Sequence, residues 1–144
     1  MPDRSAAPWL HAAVEAQASE IAGRGLFTTS DLAAGTVVLR LPRASERVDE
    51  LGTDFPNHSC DPNLGWTDEL TLVATADVPA GAELVADYAM SIVEPTWFLR
   101  CHCPSYRCRQ MVEGSDWQIA ALQARYADRW APAVRRLVAA ASPE

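Results

Sequence analysis

The sequence predicts a mostly β domain that is followed by a helical tail. Two segments, VVLRL (37–41) and LTLVATADV (70–78), are rich in β-branched and apolar residues and are bounded by Pro and Gly turns, as is typical of short strands. From Ser115 onward the apolar residues take helical spacing instead. We find no internal repeat and no low-complexity linker between these parts.

The other predicted elements follow in chain order. The segment AAVEAQASE (12–20) alternates in part and leads into IAGRGLF, and DLAAGT places a turn at Gly35. Residues 43–54 are polar and acidic, which predicts a loop or a short helical turn. ELVADYA (83–89) predicts another strand, which follows 70–78 across the turn sequence PAG as a hairpin-like or merely turn-linked pair.

The tail is predicted to contain two short helices. Ser115 is the expected N-cap of the first, and Ile119, Leu122 and Tyr126 lie along one side of it. Pro132 interrupts this helix, and AVRRLVAAA continues as the second. Such a helix either packs on its own sheet or pairs two chains, so a homodimer through these C-terminal helices is left open.

Composition favours a soluble globular protein. The chain has 144 residues, of which 49% are hydrophobic and 22% charged, as expected for one domain with a core. No apolar run approaches the roughly 20 residues that span a bilayer, and no apolar block resembles a secretion signal. We therefore expect an intracellular (cytoplasmic) protein without membrane contact, in which cysteines stay reduced.

The net charge of −7 is unevenly distributed. Residues 45–94 hold eleven carboxylates and one arginine, whereas residues 95–144 hold seven arginines and four acids. An acidic middle disfavours direct nucleic-acid binding and suits a cationic substrate, although it equally fits a solvated face. All twelve basic residues are Arg, so the chain offers no lysine of its own for modification.

The four cysteines predict a structural zinc site. CHCPSYRC supplies Cys101, Cys103 and Cys108, and Cys60 is the one remaining thiol. Four thiolates bind Zn²⁺ tetrahedrally and leave no open position. His102 is the alternative fourth ligand, but it lies between two proposed ligands. Unrelated free cysteines or a disulfide are the competing interpretations.

The GRG motif at 23–25 is by itself a weak signal. Position 28 is Thr rather than a third glycine, so the dinucleotide and phosphate-loop patterns fail. A lone GxG indicates only a sharp bend or a close backbone approach.

Three segments together resemble the SET-domain family of protein-lysine methyltransferases, across about residues 12–109. They are IAGRGLFTTSDLAAGTVV, DFPNHSCDPN, and AGAELVADYA followed by CxCx4CR. The resemblance implies a β-clip fold of short curved sheets, with a knot-like crossing in which NHSC threads beside ADYA. It also implies S-adenosylmethionine (S-adenosyl-L-methionine) as methyl donor and a post-SET-like zinc cluster that takes one cysteine from NHSC.

The resemblance assigns roles to individual residues. Backbone groups of four residues are expected to hold the methionine end of the cofactor: Gly23, Arg24, Gly25 and Leu26. Asn57 and His58 are expected to contact its polar and adenine parts, and Tyr88 is the expected active-site tyrosine. Methyl transfer needs a neutral amine aligned behind the sulfonium methyl, so a desolvating pocket and an orienting tyrosine fit this chemistry.

Some features depart from the family pattern. Only about thirty residues separate GRGLF from NHSC, where the family usually inserts a longer segment that helps to form the peptide groove. Ala86 stands where an aromatic residue is common, and Trp66 and Trp97 are predicted to be core rather than walls of a methyl-ammonium pocket. The leading hypothesis is methyl transfer to a protein lysine; a small-molecule amine acceptor, or an inactive zinc-stabilised binding module, are the alternatives.

The sequence thus predicts three consecutive parts. Residues 1–94 form the SET-like catalytic domain, residues 95–112 the post-SET-like zinc-binding segment, and residues 113–144 the C-terminal helical tail. The predicted partners are a lysine-containing protein or a small amine.

Overall fold

The computed structural model describes residues 7–141, and within that range the chain is mostly short strands with a helical C-terminal end. The division into residues 1–94, 95–112 and 113–144 stays a prediction. Residues 1–6 of the first part and 142–144 of the last lie outside the described residues. The strands are β1 (Trp9–Leu10), β2 (Val14–Ala18), β3 (Arg24–Thr28), β4 (Val37–Arg40), β5 (Asn57–His58), β6 (Leu64–Trp66), β7 (Thr71–Ala74), β8 (Glu83–Ala86), β9 (Phe98–Arg100) and β10 (Met111–Glu113).

Two four-stranded sheets and one two-stranded ribbon organise these strands. The first sheet has the order β1-β4-β7-β6 and is antiparallel throughout. The second has the order β2-β3-β8-β5, in which β5 and β8 are parallel. Strands β9 and β10 form the ribbon. The mostly β fold class is therefore confirmed.

Of the two arrangements predicted for 70–78 and 83–89, the hairpin-like pair is wrong and the turn-linked one is confirmed. Strand β7 belongs to the first sheet and β8 to the second, so the two do not pair. The chain leaves the first sheet after Ala74, Val78 makes an isolated bridge with Leu32, and the chain then turns at Gly81 with φ of 89°. The turn therefore carries the chain from one sheet to the other rather than back along the same one.

A single apolar cluster joins the sheets and the tail. Among its most deeply buried members are Leu39, Leu72, Leu84 and Trp130, each with no exposed side-chain area. Trp66 is also buried and stacks on Phe55 at 5.9 Å between ring centroids, which places it in the core as predicted.

The tail contains a 3₁₀ turn (Asp116–Gln118) and the helices α1 (Ala120–Tyr126) and α2 (Pro132–Ala141). Ser115 does not cap a helix with its side chain, so that prediction is wrong, and Ile119 precedes α1 instead. The 3₁₀ turn intervenes because Asp116 points inward to Arg109 at 3.1 Å. Pro132 begins α2, where its missing N–H costs nothing.

The tail packs on its own chain. Leu122, Tyr126 and Trp130 are buried in the common core, and Ala131 N–H donates to Met90 O at 3.0 Å. Homodimer formation through these helices stays a prediction. Within residues 7–141, every helix is too short or too polar to traverse a bilayer.

Candidate functional site

The parallel pair β5–β8 brings the NHSC and ADYA segments side by side. Asn57 is in register with Val85, and His58 with Ala86. The loop that follows stays attached, because the Asn63 side chain accepts from Val85 N–H at 2.9 Å and donates to Glu83 O at 3.0 Å. This is the adjacency that the resemblance implies.

Asn57 links this pair to the GRG segment. Its Nδ2 donates to Ala22 O at 3.0 Å and to Glu83 Oε2 at 2.9 Å. The Ser19 hydroxyl donates to the same carboxylate at 2.8 Å. The Asn57 amide therefore joins the GRG approach and β8 at one point.

The backbone geometry explains why glycine stands at both positions 23 and 25 of the GRG motif. Gly23 has φ of 43°, in the left-handed region that side chains disfavour. A Cβ on Gly25 would overlap the Glu83 carboxylate and lie 3.0 Å from Asn57 Nδ2, so a side chain there would have to displace these two groups.

The intervening residues point away from this junction. The Arg24 guanidinium donates to Ala16 O at 2.9 Å on the neighbouring strand. Leu26 is buried in the core and is in register with Leu84. The expected contact of their backbone groups with a cofactor stays a prediction.

A cavity lies beside this junction. It has a volume of about 610 Å³, within the range of small-molecule sites. Its walls come from four segments, represented by Ile21, Ser59, Glu83 and Ser105. The predicted cofactor residues do not line it themselves; their immediate chain neighbours and the partners of Asn57 do.

His58 lies behind this wall rather than in it. Its side chain is buried, its Nδ1 accepts from Tyr88 N–H at 3.0 Å, and its ring meets the Tyr88 ring edge-on at 5.3 Å between centroids. Burial lowers the pKa of His58 to about 4, so the imidazole is neutral at neutral pH. Because Nδ1 accepts, the proton belongs on Nε2, which lies 3.5 Å from Cys60 Sγ.

Tyr88 is half-buried at the end of β8. Its hydroxyl donates to Pro56 O at 2.6 Å, and its ring contacts Phe55 at 5.8 Å between centroids. Burial raises the pKa of Tyr88, with further contributions from Asp49 and Glu83. The phenol therefore stays protonated, which suits an orienting role better than that of a base.

The four thiols converge, as the sequence predicts. The possible ligand atoms of Cys60, Cys101, Cys103 and Cys108 lie within 4.8 Å of one another, and the Cys60 and Cys101 sulfurs are 3.9 Å apart. Tetrahedral sulfur ligands at about 2.3 Å from zinc stand roughly 3.8 Å apart, so this spacing fits the ion. Zinc binding by these residues stays a prediction.

The surroundings of the thiols also suit a cation. Arg109 N–H donates to Cys60 Sγ at 3.3 Å and Cys103 N–H to Cys101 Sγ at 3.4 Å, and N–H donors of this kind orient and stabilise thiolates that hold a metal. Burial raises the pKa of Cys60 to about 11. A bound cation would therefore have to displace this proton.

A buried carboxylate next to Tyr88 is a feature that sequence reasoning missed. Asp87 accepts from the Arg109 guanidinium at 2.7 and 3.1 Å and from the Tyr126 hydroxyl at 2.5 Å. The one local signal is an acid inside the apolar segment ELVADYA. Its partners lie 22 and 39 positions away, so no spacing in the sequence indicates them.

Comparisons with known proteins agree with this arrangement. Residues 43–89 match the SET domain family. A Drosophila melanogaster protein described as histone-lysine N-methyltransferase ash1 is 31% identical over 83 residues, which cover 51% of this chain. The chain spans only 4% of the length of that relative.

Solved structures share the fold. A crystal structure of KRYPTONITE in complex with mCHG DNA and SAH superposes with a TM-score of 0.55 at 23% identity, covering 71% of this chain and 29% of that one. A second KRYPTONITE complex, with mCHH DNA, H3(1-15) peptide and SAH, gives a TM-score of 0.51 at the same 23% identity, covering 71% of this chain and 30% of that one.

Fold and site together define a mostly β protein with a SET-like fold, whose NHSC and ADYA segments lie side by side near a cavity. Residues 43–89 of the chain match the SET domain family, and its four cysteines are close enough together to fit a zinc site.

Proposed function

We propose that the protein is an S-adenosylmethionine-dependent methyltransferase that acts on the ε-amine of a protein lysine. The observation that carries this proposal is the junction at β5–β8. There the GRG segment and Asn57 meet beside a cavity of about 610 Å³, and the N–H of Tyr88, two residues after β8, donates to the buried His58 ring at 3.0 Å. The description of the Drosophila relative as a histone-lysine N-methyltransferase agrees with this assignment.

The cavity suits the proposed cofactor. Among residues 7–141, its lining includes three carboxylates, Glu20, Asp61 and Glu83, and no basic side chain. An acidic wall favours a ligand that carries a sulfonium and an ammonium group. The close approach at Gly25 leaves the Asn57 amide and the Glu83 carboxylate together at the cavity edge.

When bound, S-adenosylmethionine supplies an electrophilic methyl group on a sulfonium, and its transfer to an amine nitrogen leaves a neutral thioether. The chain contributes position and desolvation to this reaction. The Tyr88 phenol is fixed by Pro56 O at 2.6 Å and stays protonated, so it orients the amine and does not remove its proton. That proton passes to water.

The cysteine cluster has a structural part in this proposal. Pro104 and Ser105, which line the cavity, lie between Cys103 and Cys108. A zinc ion held by the four thiols would fix this loop as one wall of the cavity. Zinc would take no part in the chemical step, because four protein thiolates leave it no open position.

The test is transfer of label from isotope-labelled S-adenosylmethionine. Purified protein is incubated with core histones and, separately, with extract of its own cell, and the product is hydrolysed to amino acids. We expect methyl-lysine in the protein fraction. The chain contains no lysine, so this signal comes from the acceptor alone. Tyr88→Phe is the matched variant, with at least a tenfold lower rate expected and zinc content unchanged.

Two other outcomes would overturn the lysine assignment. Label only in small metabolites would favour the small-amine acceptor, for which the short connection between β3 and β5 is the supporting observation. The regular elements of that connection are β4 and two 3₁₀ turns, Val48–Glu50 and Gly52–Asp54. Binding of S-adenosylhomocysteine without any transfer, equal in wild type and Tyr88→Phe, would favour an inactive binding module.

A further inference from the structure

The buried Asp87 carboxylate accepts four hydrogen bonds. It is 1% exposed, and it accepts two hydrogen bonds from Arg109, one from the Tyr126 hydroxyl and one from Ala89 N–H at 2.9 Å. Removing any donor from so buried a charge leaves part of it unpaired, which the interior penalises.

These donors come from separate parts of the chain. Ala89 is in the 3₁₀ turn Tyr88–Met90, Arg109 directly follows the last cysteine, and Tyr126 is the last residue of α1. The Arg109 side chain is itself held by Asp116 at 3.1 Å. Asp87 is therefore the point at which the cysteine segment and the tail both attach to the end of β8.

The attachment restrains Tyr88 from both sides. Tyr88 N–H is held by His58 Nδ1 at 3.0 Å, and the next amide, Ala89 N–H, by Asp87 Oδ1. At the end of the same turn, Met90 O accepts from Ala131 N–H, also in the tail. The turn that carries Tyr88 cannot shift without breaking a contact to Tyr126 or Ala131.

We propose that Tyr126 is a positioning residue: its hydroxyl fixes the Asp87 carboxylate and so sets the place of Tyr88. This inference rests on the proposed function, because it gives the helical tail a part in the same site. The tail lies beyond the residues that match the SET domain, which end at 89.

Tyr126→Phe is the direct test. It removes one hydroxyl and retains the ring, which meets Trp130 edge-on at 5.3 Å between centroids. Amide hydrogen exchange is measured at residues 88 and 89, and methyl transfer is measured with core histones as acceptor. We expect exchange about tenfold faster at these two amides, because a hydrogen bond to a charged group is lost. We also expect kcat about tenfold lower, with KM for S-adenosylmethionine within twofold of wild type.

Val134→Ala is the matched control. Val134 is buried in α2 and makes none of the contacts to Asp87, so its truncation weakens the tail without touching the network. If it accelerates exchange at residues 88 and 89 as much as Tyr126→Phe does, tail stability explains the effect and the inference is overturned. Unchanged exchange or unchanged kcat in Tyr126→Phe overturns it too.

A second variant keeps the test decisive if Tyr126→Phe loses its fold. Arg109→Lys retains the charge beside Asp87 and removes the paired hydrogen bonds, so the same local acceleration is expected; its absence overturns the inference. Should the wild type transfer no methyl group to any acceptor, the proposed function fails by itself. The exchange measurements then still decide whether Tyr126 holds the turn.

Discussion

Replacing Cys60 by serine distinguishes a zinc site shared between Cys60 and residues 101–108 from a site made by residues 101–108 alone. Cys60 is fully buried, 41 positions from Cys101 in sequence, and its sulfur is 3.9 Å from that of Cys101. Structural zinc sites bind with about 10–16 kcal/mol at neutral pH. An even division among four thiolates assigns about 3 kcal/mol to each, or somewhat more than a hundredfold in Kd.

The loss should appear in two measurements. Competition with a chelating dye should show the zinc Kd raised by about two orders of magnitude, since serine is a poor zinc ligand at neutral pH. The melting temperature with zinc present should fall by roughly 6–12 °C, because about 1 kcal/mol corresponds to about 2–4 °C for a chain of this size.

Two controls fix the meaning of this result. Cys101→Ser should match Cys60→Ser in both measurements, since each removes one of four equivalent ligands. Ser59→Ala, in the same loop, removes a hydroxyl that accepts from Asp61 N–H and leaves every thiol in place; it should retain full zinc affinity. If Cys60→Ser keeps full zinc occupancy while Cys101→Ser loses it, the shared site is wrong.

Three further substitutions test other parts of the structure. Gly25→Ala should weaken binding of S-adenosylhomocysteine at least tenfold in calorimetry, because the added Cβ overlaps the Glu83 carboxylate and displaces the cavity wall; equal affinity would contradict this. Trp130→Ala should lower the free energy of unfolding in urea by about 3–5 kcal/mol, as for other fully buried aromatics. A loss below about 1 kcal/mol would contradict the packing of the tail in the common core. Burial acts to raise the pKa of Asp87, but hydrogen bonds from Arg109 and Tyr126 prevail and hold it below its ordinary value of 3.8. The stabilisation from this depressed pKa is complete above the unfolded pKa and is lost as pH falls through the folded pKa. Asp87→Asn should therefore cost about 3 kcal/mol near neutral pH and progressively less in acid, and a cost that does not change with pH would refute the linkage.

The convergence of the four cysteines could be predicted from sequence because the chemistry of a thiolate metal site limits the choices. Thiols are the ligands in question, the chain has four cysteines, and three of them lie within eight residues. Pairing the fourth with them needs no knowledge of the fold. Likewise, the glycines of GRG indicate a close backbone approach wherever the strand lies, and Gly25 proves to sit against Glu83.

The errors concern pairings that local sequence does not encode. Strands β7 and β8 each have a composition typical of a strand, and the Pro-Ala-Gly turn between them is compatible with a hairpin, yet the two strands belong to different sheets. The deciding contact is the bridge between Leu32 and Val78, 46 positions apart, which redirects the chain before the turn begins. Similarly, Ser115 fits an N-cap, but Asp116 is drawn inward by Arg109, and the helix starts after Ile119.

Two contacts imply that zinc and cofactor affinities are linked. His58, which holds Tyr88 N–H, places Nε2 3.5 Å from Cys60 Sγ, and the loop between Cys103 and Cys108 forms one wall of the cavity. A ligand in that cavity therefore restrains the same loop that the ion restrains, and coupling between two sites is reciprocal. S-adenosylhomocysteine at saturation should lower the zinc Kd measured by competition with a chelator, and removal of zinc should raise the Kd for S-adenosylhomocysteine by the same factor. A zinc Kd that is the same with and without the ligand would mean that the loop is fixed without the ion, and the cysteine cluster would then serve the tail alone.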